Sequence, residues 1–141
     1  MLSERPFYLD AGKGGVFSIL HEPEQRGPLR PVLLLPPFGW EDMCSYRSRR
    51  EWAQHLARNG RSVLRIDLPG SGDSYGSPRD AGLVREWLDA VAGAARWLAG
   101  ECSVESVAVV GIGVGGLLAC AASREGAPID ELILWLSLIH I

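Results

Sequence analysis

Glycines at alternate positions mark the stretch from Gly111 to Gly115, which reads Gly-Ile-Gly-Val-Gly. An apolar, β-branched run enters this stretch at Val107 and an apolar helical pattern leaves it, which predicts a strand, a sharp turn and a helix. The backbone N–H group of Val114, directly after the apex, is a candidate donor to an anion or to the oxyanion of a reacting carbonyl group. Gly113 itself, at the apex, carries no side chain that could act as a nucleophile.

Side chains capable of acid–base or nucleophilic chemistry lie elsewhere, and each also has a structural interpretation. Ser71, Asp73 and Ser74 belong to a turn-rich loop after the predicted strand at 62–67, where we expect them to form turns. Cys44 lies near the start of a predicted helix, where thiolates are favoured, but the sequence shows no histidine partner for it.

The histidines and a basic cluster are also expected to be structural. We predict that His21 lies at a strand end and that His55 lies on an exposed helix face. Three arginines close together are expected on a solvated helix face, with contact to an acidic ligand as the alternative: Arg47, Arg49 and Arg50.

The elements that must position these residues alternate between strands and helices. Short strands are predicted at 6–9 and 16–21, and further strands at 32–35, 62–67, 107–112 and 132–135. A helix with a buried face is predicted to follow a loop at 38–45, and its buried residues are Trp52, Ala53, Leu56 and Ala57. The longest helical stripe runs from Leu83 to Leu98 and is closed by Gly100. This alternation predicts an α/β fold with a mostly parallel sheet, helices on both faces and a small antiparallel pair at its start.

Composition excludes several classes of function. The chain has 141 residues, of which 47% are apolar and 22% charged, as in ordinary globular domains. A net charge of −3 does not favour a nucleic-acid partner, and no apolar run is long enough to span a membrane. The N-terminus has no apolar signal core, so we expect a cytoplasmic protein. The cysteines have no metal or redox spacing, so we expect no metal or cofactor and three buried free thiols: Cys44, Cys102 and Cys120.

Three motifs, taken in order, resemble the N-terminal half of the α/β-hydrolase superfamily. The first is Leu-Pro-Pro-Phe-Gly at 35–39, where that family has His-Gly after its third strand. The second is Arg-Ile-Asp-Leu-Pro-Gly-Ser-Gly-Asp-Ser at 65–74, close to the family's D-x-x-G-x-G-x-S loop. The third is the glycine stretch from Gly111 to Gly115, at the position of the nucleophile elbow. The stretch from Pro36 to Ser74 further resembles hydrolase-like proteins of bacterial exosortase systems and the serine-aminopeptidase-like group.

The resemblance implies a hydrolase-like protein acting on esters or amides, with a small-molecule acyl substrate or ligand as its partner. It implies an oxyanion hole made by the backbone N–H groups of Val114 and of Phe38 or Gly39. Two departures are evident: Gly113 stands where the family has serine, and Pro36-Pro37 stands where it has His-Gly. As it stands, the chain is expected to be inactive as a serine hydrolase, in the manner of a pseudoenzyme.

Two alternatives stay open. One is a non-catalytic binding protein of the same fold, in which the glycine apex opens the pocket. The other is dinucleotide binding, because Gly111 to Gly116 satisfies G-x-G-x-x-G between a strand and a helix. Against the second, the fingerprint normally lies in the first βα turn, and an acidic residue should end the next strand.

The last residues form a separate problem. Residues 136–141 read Leu-Ser-Leu-Ile-His-Ile, which CTG TCT CTT ATA CAC ATC encodes, and that DNA resembles the transposon-end adapter of sequencing libraries. We therefore interpret residues 1–135 as the N-terminal part of one α/β-hydrolase domain and 136–141 as an adapter-derived tail, with a natural strand ending as the alternative. On this interpretation His140 is foreign, and the family's acid and histidine would lie in sequence that this truncated chain lacks.

Overall fold

A computed structural model describes residues 2–135 of the chain. Nine elements follow one another along the chain. In order, they are β1 (Ser3–Ala11), β2 (Gly14–Glu22), β3 (Val32–Leu35), α1 (Trp40–Arg58), β4 (Val63–Ile66), α2 (Leu83–Glu101), β5 (Val107–Ile112), α3 (Val114–Arg124) and β6 (Ile129–Trp135).

The six strands form one sheet in the order β1-β2-β4-β3-β5-β6. β1 and β2 are an antiparallel hairpin, and β2 also runs antiparallel to β4. All later pairs are parallel, with Leu33 of β3 opposite Leu64 on one side and Val109 on the other. The prediction of a mostly parallel α/β sheet that begins with an antiparallel pair is confirmed.

Alternate residues of a strand point to opposite faces of the sheet, so the apolar strands present buried side chains on both faces. Helices cover both of these faces. Leu33 and Leu35 of β3 belong to a core that includes Val91 and Leu98 of α2 and residues of α3. Val32 and Leu34 belong to a second core that includes Ala53 of α1. α1 therefore covers one face and the α2–α3 pair covers the other, as predicted.

Two helix boundaries differ from the prediction. α1 begins at Trp40, within the stretch expected to be a loop, because Gly39 makes the turn and the acidic Glu41 and Asp42 favour the first helical turn. α2 continues through Gly100 to Glu101, since a helix tolerates one glycine near its end at a cost of about 1 kcal/mol.

β6 lies at the edge of the sheet, with β5 as its one strand neighbour within residues 2–135. Its last four side chains are large, apolar and 37–58% exposed: Leu132, Ile133, Leu134 and Trp135. The predicted adapter-derived tail at 136–141 lies outside the described residues. Across the described chain, no helix combines the length and hydropathy needed to cross a bilayer.

Candidate functional site

A sharp turn joins β5 to α3 at Gly113. This residue has φ 56° and ψ −123°, the mirror image of an extended conformation, which residues other than glycine adopt only under strain. The turn is fixed on both sides, because the N–H of Gly113 donates to the Trp135 carbonyl at 3.0 Å and its own carbonyl accepts from the N–H of Gly116 at 3.0 Å. The backbone thus has the strained strand-to-helix form of a nucleophile elbow, with no side chain at its apex.

The flanking glycines allow α3 to approach the sheet closely. A Cβ atom at Gly115 would lie 2.6 Å from the Pro36 carbonyl oxygen, and one at Gly111 would lie 2.5 Å from the Cα of Gly116. Any side chain at either position would separate α3 from β3 or from its own strand. This explains the alternate spacing of glycines that the sequence shows.

A second turn of similar geometry follows β3. Gly39 has φ 71° and ψ −134° and precedes the first residue of α1, so both helices begin after a glycine in the same conformation. The two turns lie at the same edge of the sheet, because Leu35 pairs with Gly111 in the adjacent parallel strand. Val114, as the first residue of α3, has no intrahelical acceptor for its N–H.

The β3–α1 turn is held by packing against α2. The ring of Phe38 lies 4.8 Å from the ring of Trp87, centroid to centroid. Trp87 is itself anchored, because its indole Nε1–H donates to the Pro69 carbonyl at 2.8 Å. The sequence predicted Trp87 only as part of a helical stripe. The signal available was that a buried tryptophan N–H usually finds a hydrogen-bond partner.

The loop after β4 is structural, as predicted. The Ser74 hydroxyl donates to the Asp67 carbonyl at 2.5 Å and accepts from the N–H of Phe17 at 2.8 Å. The N–H of Asp73 donates to the Asp67 carboxylate at 3.0 Å, while Ser71 forms backbone turn bonds. Burial raises the pKa of Asp67, and the hydrogen bond from Asp73 opposes that shift. These contacts hold the loop, and they engage the Ser74 hydroxyl both as donor and as acceptor.

Neither histidine of the described chain lies at the elbow. His21 pairs with Val63 at the amino end of β4, and its Nε2 accepts from the Arg65 guanidinium at 2.9 Å. Burial and the Arg65 charge lower the pKa of His21 to about 4, so it is neutral at pH 7. His55 lies on the exposed face of α1, 16 residues after Gly39 and hence about 24 Å along the helix axis.

Two predictions about α1 were wrong. Arg49 was expected on a solvated face with Arg47 and Arg50, but it is 1% exposed and forms an ion pair with Asp42. The two residues are seven positions apart, and therefore lie on one face of the helix, which is the signal that would have predicted the pair. Cys44 was expected to be buried and is exposed, and Cys102 and Cys120 are only partly buried.

No protein-family model and no curated protein matches the chain. Several solved structures, however, match the chain. A hypothetical protein from Pseudomonas aeruginosa matches with a TM-score of 0.78 and 22% identity over 94% of this chain and 42% of that chain. An alpha-beta serine hydrolase homologue from Coxiella burnetii matches with a TM-score of 0.73 and 15% identity over 92% of this chain and 61% of that chain. The chain has the α/β-hydrolase fold.

A third matching structure is that of an enzyme with the same fold. The 2-hydroxy-6-oxo-6-phenylhexa-2,4-dienoate hydrolase of a Rhodococcus species has a TM-score of 0.69 and 20% identity over 98% of this chain and 47% of that chain. The chain spans about half the length of these structures.

The topology also bears on the dinucleotide alternative. The G-x-G-x-x-G match follows β5, the fifth strand, and not the first strand of the chain. Asp130 and Glu131 lie at the start of β6, at the edge of the sheet opposite the turn. A ribose-binding carboxylate is needed at the carboxyl end of the following strand, so this arrangement does not favour dinucleotide binding.

Proposed function

We propose that the chain carries the carbonyl-binding part of a hydrolase-like acyl site, whose substrates or ligands are esters or amides. The observation that supports the proposal most directly is the pair of helix-starting turns at one edge of the sheet. Each turn presents backbone N–H groups at the start of a helix, where the helix dipole favours negative charge on an oxygen. The donors we propose are Val114 on one side and Phe38 or Gly39 on the other.

The apex favours binding over serine chemistry. An acyl-enzyme mechanism needs an attacking oxygen at the turn, and Gly113 supplies none. Backbone donors alone retain the ability to bind and polarise a carbonyl group. We therefore propose that this chain binds the acyl group without forming a covalent intermediate at Gly113.

The proposal can be tested with a variant that removes one donor. Proline is well tolerated at the first position of a helix, so Val114→Pro deletes the N–H while keeping the start of α3. Val114→Ala retains the N–H and is the matched control. We would titrate the isotope-labelled chain with butyramide and follow the backbone amide resonances.

We expect shifts at Phe38, Gly39 and Val114 in the parent chain, and binding about five- to tenfold weaker in Val114→Pro, the equivalent of one hydrogen bond. Val114→Ala should bind as the parent does. Equal affinity in both variants, or shifts confined to other parts of the chain, would refute the proposed donors. Stoichiometric labelling of the parent chain by a fluorophosphonate probe would refute the non-covalent mechanism.

A further inference from the structure

The first two turns of α1 are not held to the sheet by apolar packing. The buried residues of this helix are Arg49, Ala53 and Ala57, so none of them lies in those turns. No side chain caps the helix at Gly39, and a Cβ atom at that glycine would meet nothing within 4 Å. Packing of Phe38 therefore holds one side of the β3–α1 turn, and α1 itself has to hold the other.

Arg49 is the first buried residue of α1, and its side chain reaches back towards the start of the helix. It is 1% exposed, and its Nη2 donates to the Asp42 carbonyl at 2.9 Å and forms an ion pair with the Asp42 carboxylate. Its Nε–H donates to the Ser45 hydroxyl at 3.2 Å, and that hydroxyl donates to the Glu41 carbonyl at 2.7 Å. One side chain thus engages two carbonyl groups of the first turn, one directly and one through Ser45.

The same contacts lead from the first turn to Gly39. The Gly39 carbonyl accepts from the N–H of Asp42 at 3.1 Å and from the N–H of Met43 at 3.4 Å. Because a glycine backbone has more rotational freedom than any other, these two hydrogen bonds fix the orientation of the peptide group on this side of the turn. A continuous series of contacts therefore joins Arg49 through Asp42 to Gly39.

On the sheet side, Arg49 faces charged groups across a gap of about 10 Å³. The Asp67 carboxylate and the Arg65 guanidinium both act on it, with opposite signs. The ring centroid of Tyr46 lies 5.5 Å from the Cζ of Arg49 and 5.4 Å from that of Arg65. An apolar side chain could fill this space, but only a guanidinium offers several donors in a rigid fork, as the contacts with Asp42 require.

We propose that Arg49 is a positioning residue of the acyl site, which holds the first turn of α1 through Asp42 and so sets the orientation of the N–H groups at Phe38 and Gly39. This inference rests on the function proposed above, because it takes those N–H groups as the donors. Arg49 itself lies beneath the helix and acts on the ligand only through the backbone.

Amide hydrogen exchange in the ligand-free, isotope-labelled chain tests the hold on the turn. Arg49→Met removes the charge and the donors but keeps a side chain of similar length. We expect the N–H groups of Asp42 and Met43 to exchange at least about tenfold faster in this variant, because the first turn opens locally. Ala53→Gly destabilises the same helix behind the first turn and is the matched control, so exchange at these two groups should stay within about twofold of the parent.

Titration with butyramide tests the effect on the site. We expect binding about fivefold weaker in Arg49→Met, because the donors remain but are no longer held in place, and unchanged binding in Ala53→Gly. Arg49→Lys retains the charge but cannot contact Asp42 and Ser45 in the same way, so its exchange and affinity should fall between those of the parent and Arg49→Met. This variant also decides the matter where Arg49→Met does not fold.

Exchange at Asp42 and Met43 that is as slow in the Arg49 variants as in the parent would overturn the inference. So would faster exchange with unchanged affinity, or an equal loss of affinity in Ala53→Gly, since that loss would follow from general destabilisation. A parent chain that does not bind butyramide would instead refute the acyl site itself. The exchange measurement needs no ligand and therefore distinguishes that failure from a failure of Arg49 to hold the turn.

Discussion

At the scale of single residues, the apex of the elbow decides which chemistry is available. Gly113 holds the turn in a conformation that serine adopts only with strain of about 1–3 kcal/mol. The shape of the turn therefore does not depend on a nucleophile being present, and the two properties can be separated by one substitution.

We predict that Gly113→Ser lowers the free energy of unfolding by about 1–3 kcal/mol and restores no covalent catalysis. The described histidines cannot assist the new hydroxyl, because His21 is bound to Arg65 and His55 lies far along α1. Denaturant melts and fluorophosphonate labelling are the measurements. Gly126→Ser, at another glycine with positive φ and open space around it, is the control for strain. Stoichiometric labelling at position 113 would contradict the prediction.

The buried His21 predicts a pH dependence of stability. Its pKa is about 4 in the folded chain against 6.5 for an unperturbed histidine, so the unfolded chain binds the extra proton between these values. Stability is therefore complete above about pH 6.5 and falls as the pH drops towards 4, by up to about 3 kcal/mol.

His21→Gln should remove most of this fall between pH 6.5 and 4, measured as the free energy of unfolding in urea. His55→Gln, on the exposed face of α1, should leave the pH dependence of the parent chain intact. A parent chain equally stable at pH 5 and pH 7 would contradict the pKa of His21. The charges of Arg65, Glu4 and Arg50 also act on this histidine. The test is therefore the difference between the two variants in how the free energy of unfolding changes with pH.

At the scale of elements, the close approach of α3 to β3 rests on the absence of one Cβ atom. A side chain at Gly115 would meet two backbone oxygens, those of Pro36 and Leu35, at 2.6 and 3.0 Å, and backbone atoms cannot swing aside. α3 would have to move away from β3 as a body, and the turn at Gly113 would move with it.

We predict that Gly115→Ala destabilises the chain by about 1–3 kcal/mol, despite the better helix propensity of alanine, because of overpacking. The matched control is Gly100→Ala in α2, where an added Cβ meets nothing within 4 Å. That variant should stabilise by up to about 1 kcal/mol, through propensity alone. Thermal melts of both variants test the point, and a stabilised Gly115→Ala would show that α3 is free to shift.

At the scale of the whole molecule, β6 exposes apolar side chains at the edge of the sheet. Ile133 is 49% exposed, and such an edge strand is a template for pairing with another chain. We predict that the parent chain self-associates with rising concentration and that Ile133→Lys suppresses this association. Leu29→Lys, at a loop residue that is 56% exposed, should not suppress it.

Sedimentation velocity across a concentration series measures this difference. A parent chain that stays monomeric throughout, or two lysine variants that behave alike, would show that the exposed edge does not drive association.

The architecture was predictable from the sequence because the spacing and length of its apolar runs indicate which segments form strands and which form helices. The run at Val32–Leu35 forms the buried strand β3, and the stripe that begins at Leu83 forms the buried face of α2, as the sequence predicted. The start of α1 was not predictable from apolar periodicity, because Trp40 and Met43 in its first turn are more than 70% exposed. The burial of Arg49 was also missed, since it depends on an ion partner two helical turns away and not on hydropathy.

The candidate site was predictable in shape but not in activity. The glycine spacing indicated the elbow, and the close contacts of Gly111 and Gly115 supply its physical reason. The proposed donors at Phe38, Gly39 and Val114 stay a prediction, because backbone N–H groups leave no mark of their chemistry in residue types.

The apex of the elbow has a consequence in mutational terms. The glycine codons GGC and GGT each differ from a serine codon, AGC or AGT, by one base, so from either of them a single transition would place a serine at this turn. The change from serine to glycine relieves backbone strain of about 1–3 kcal/mol, while the reverse change imposes it. Without selection for catalysis, mutation at this position is therefore biased towards keeping glycine, and the close contacts at Gly111 and Gly115 do not require a serine at the apex.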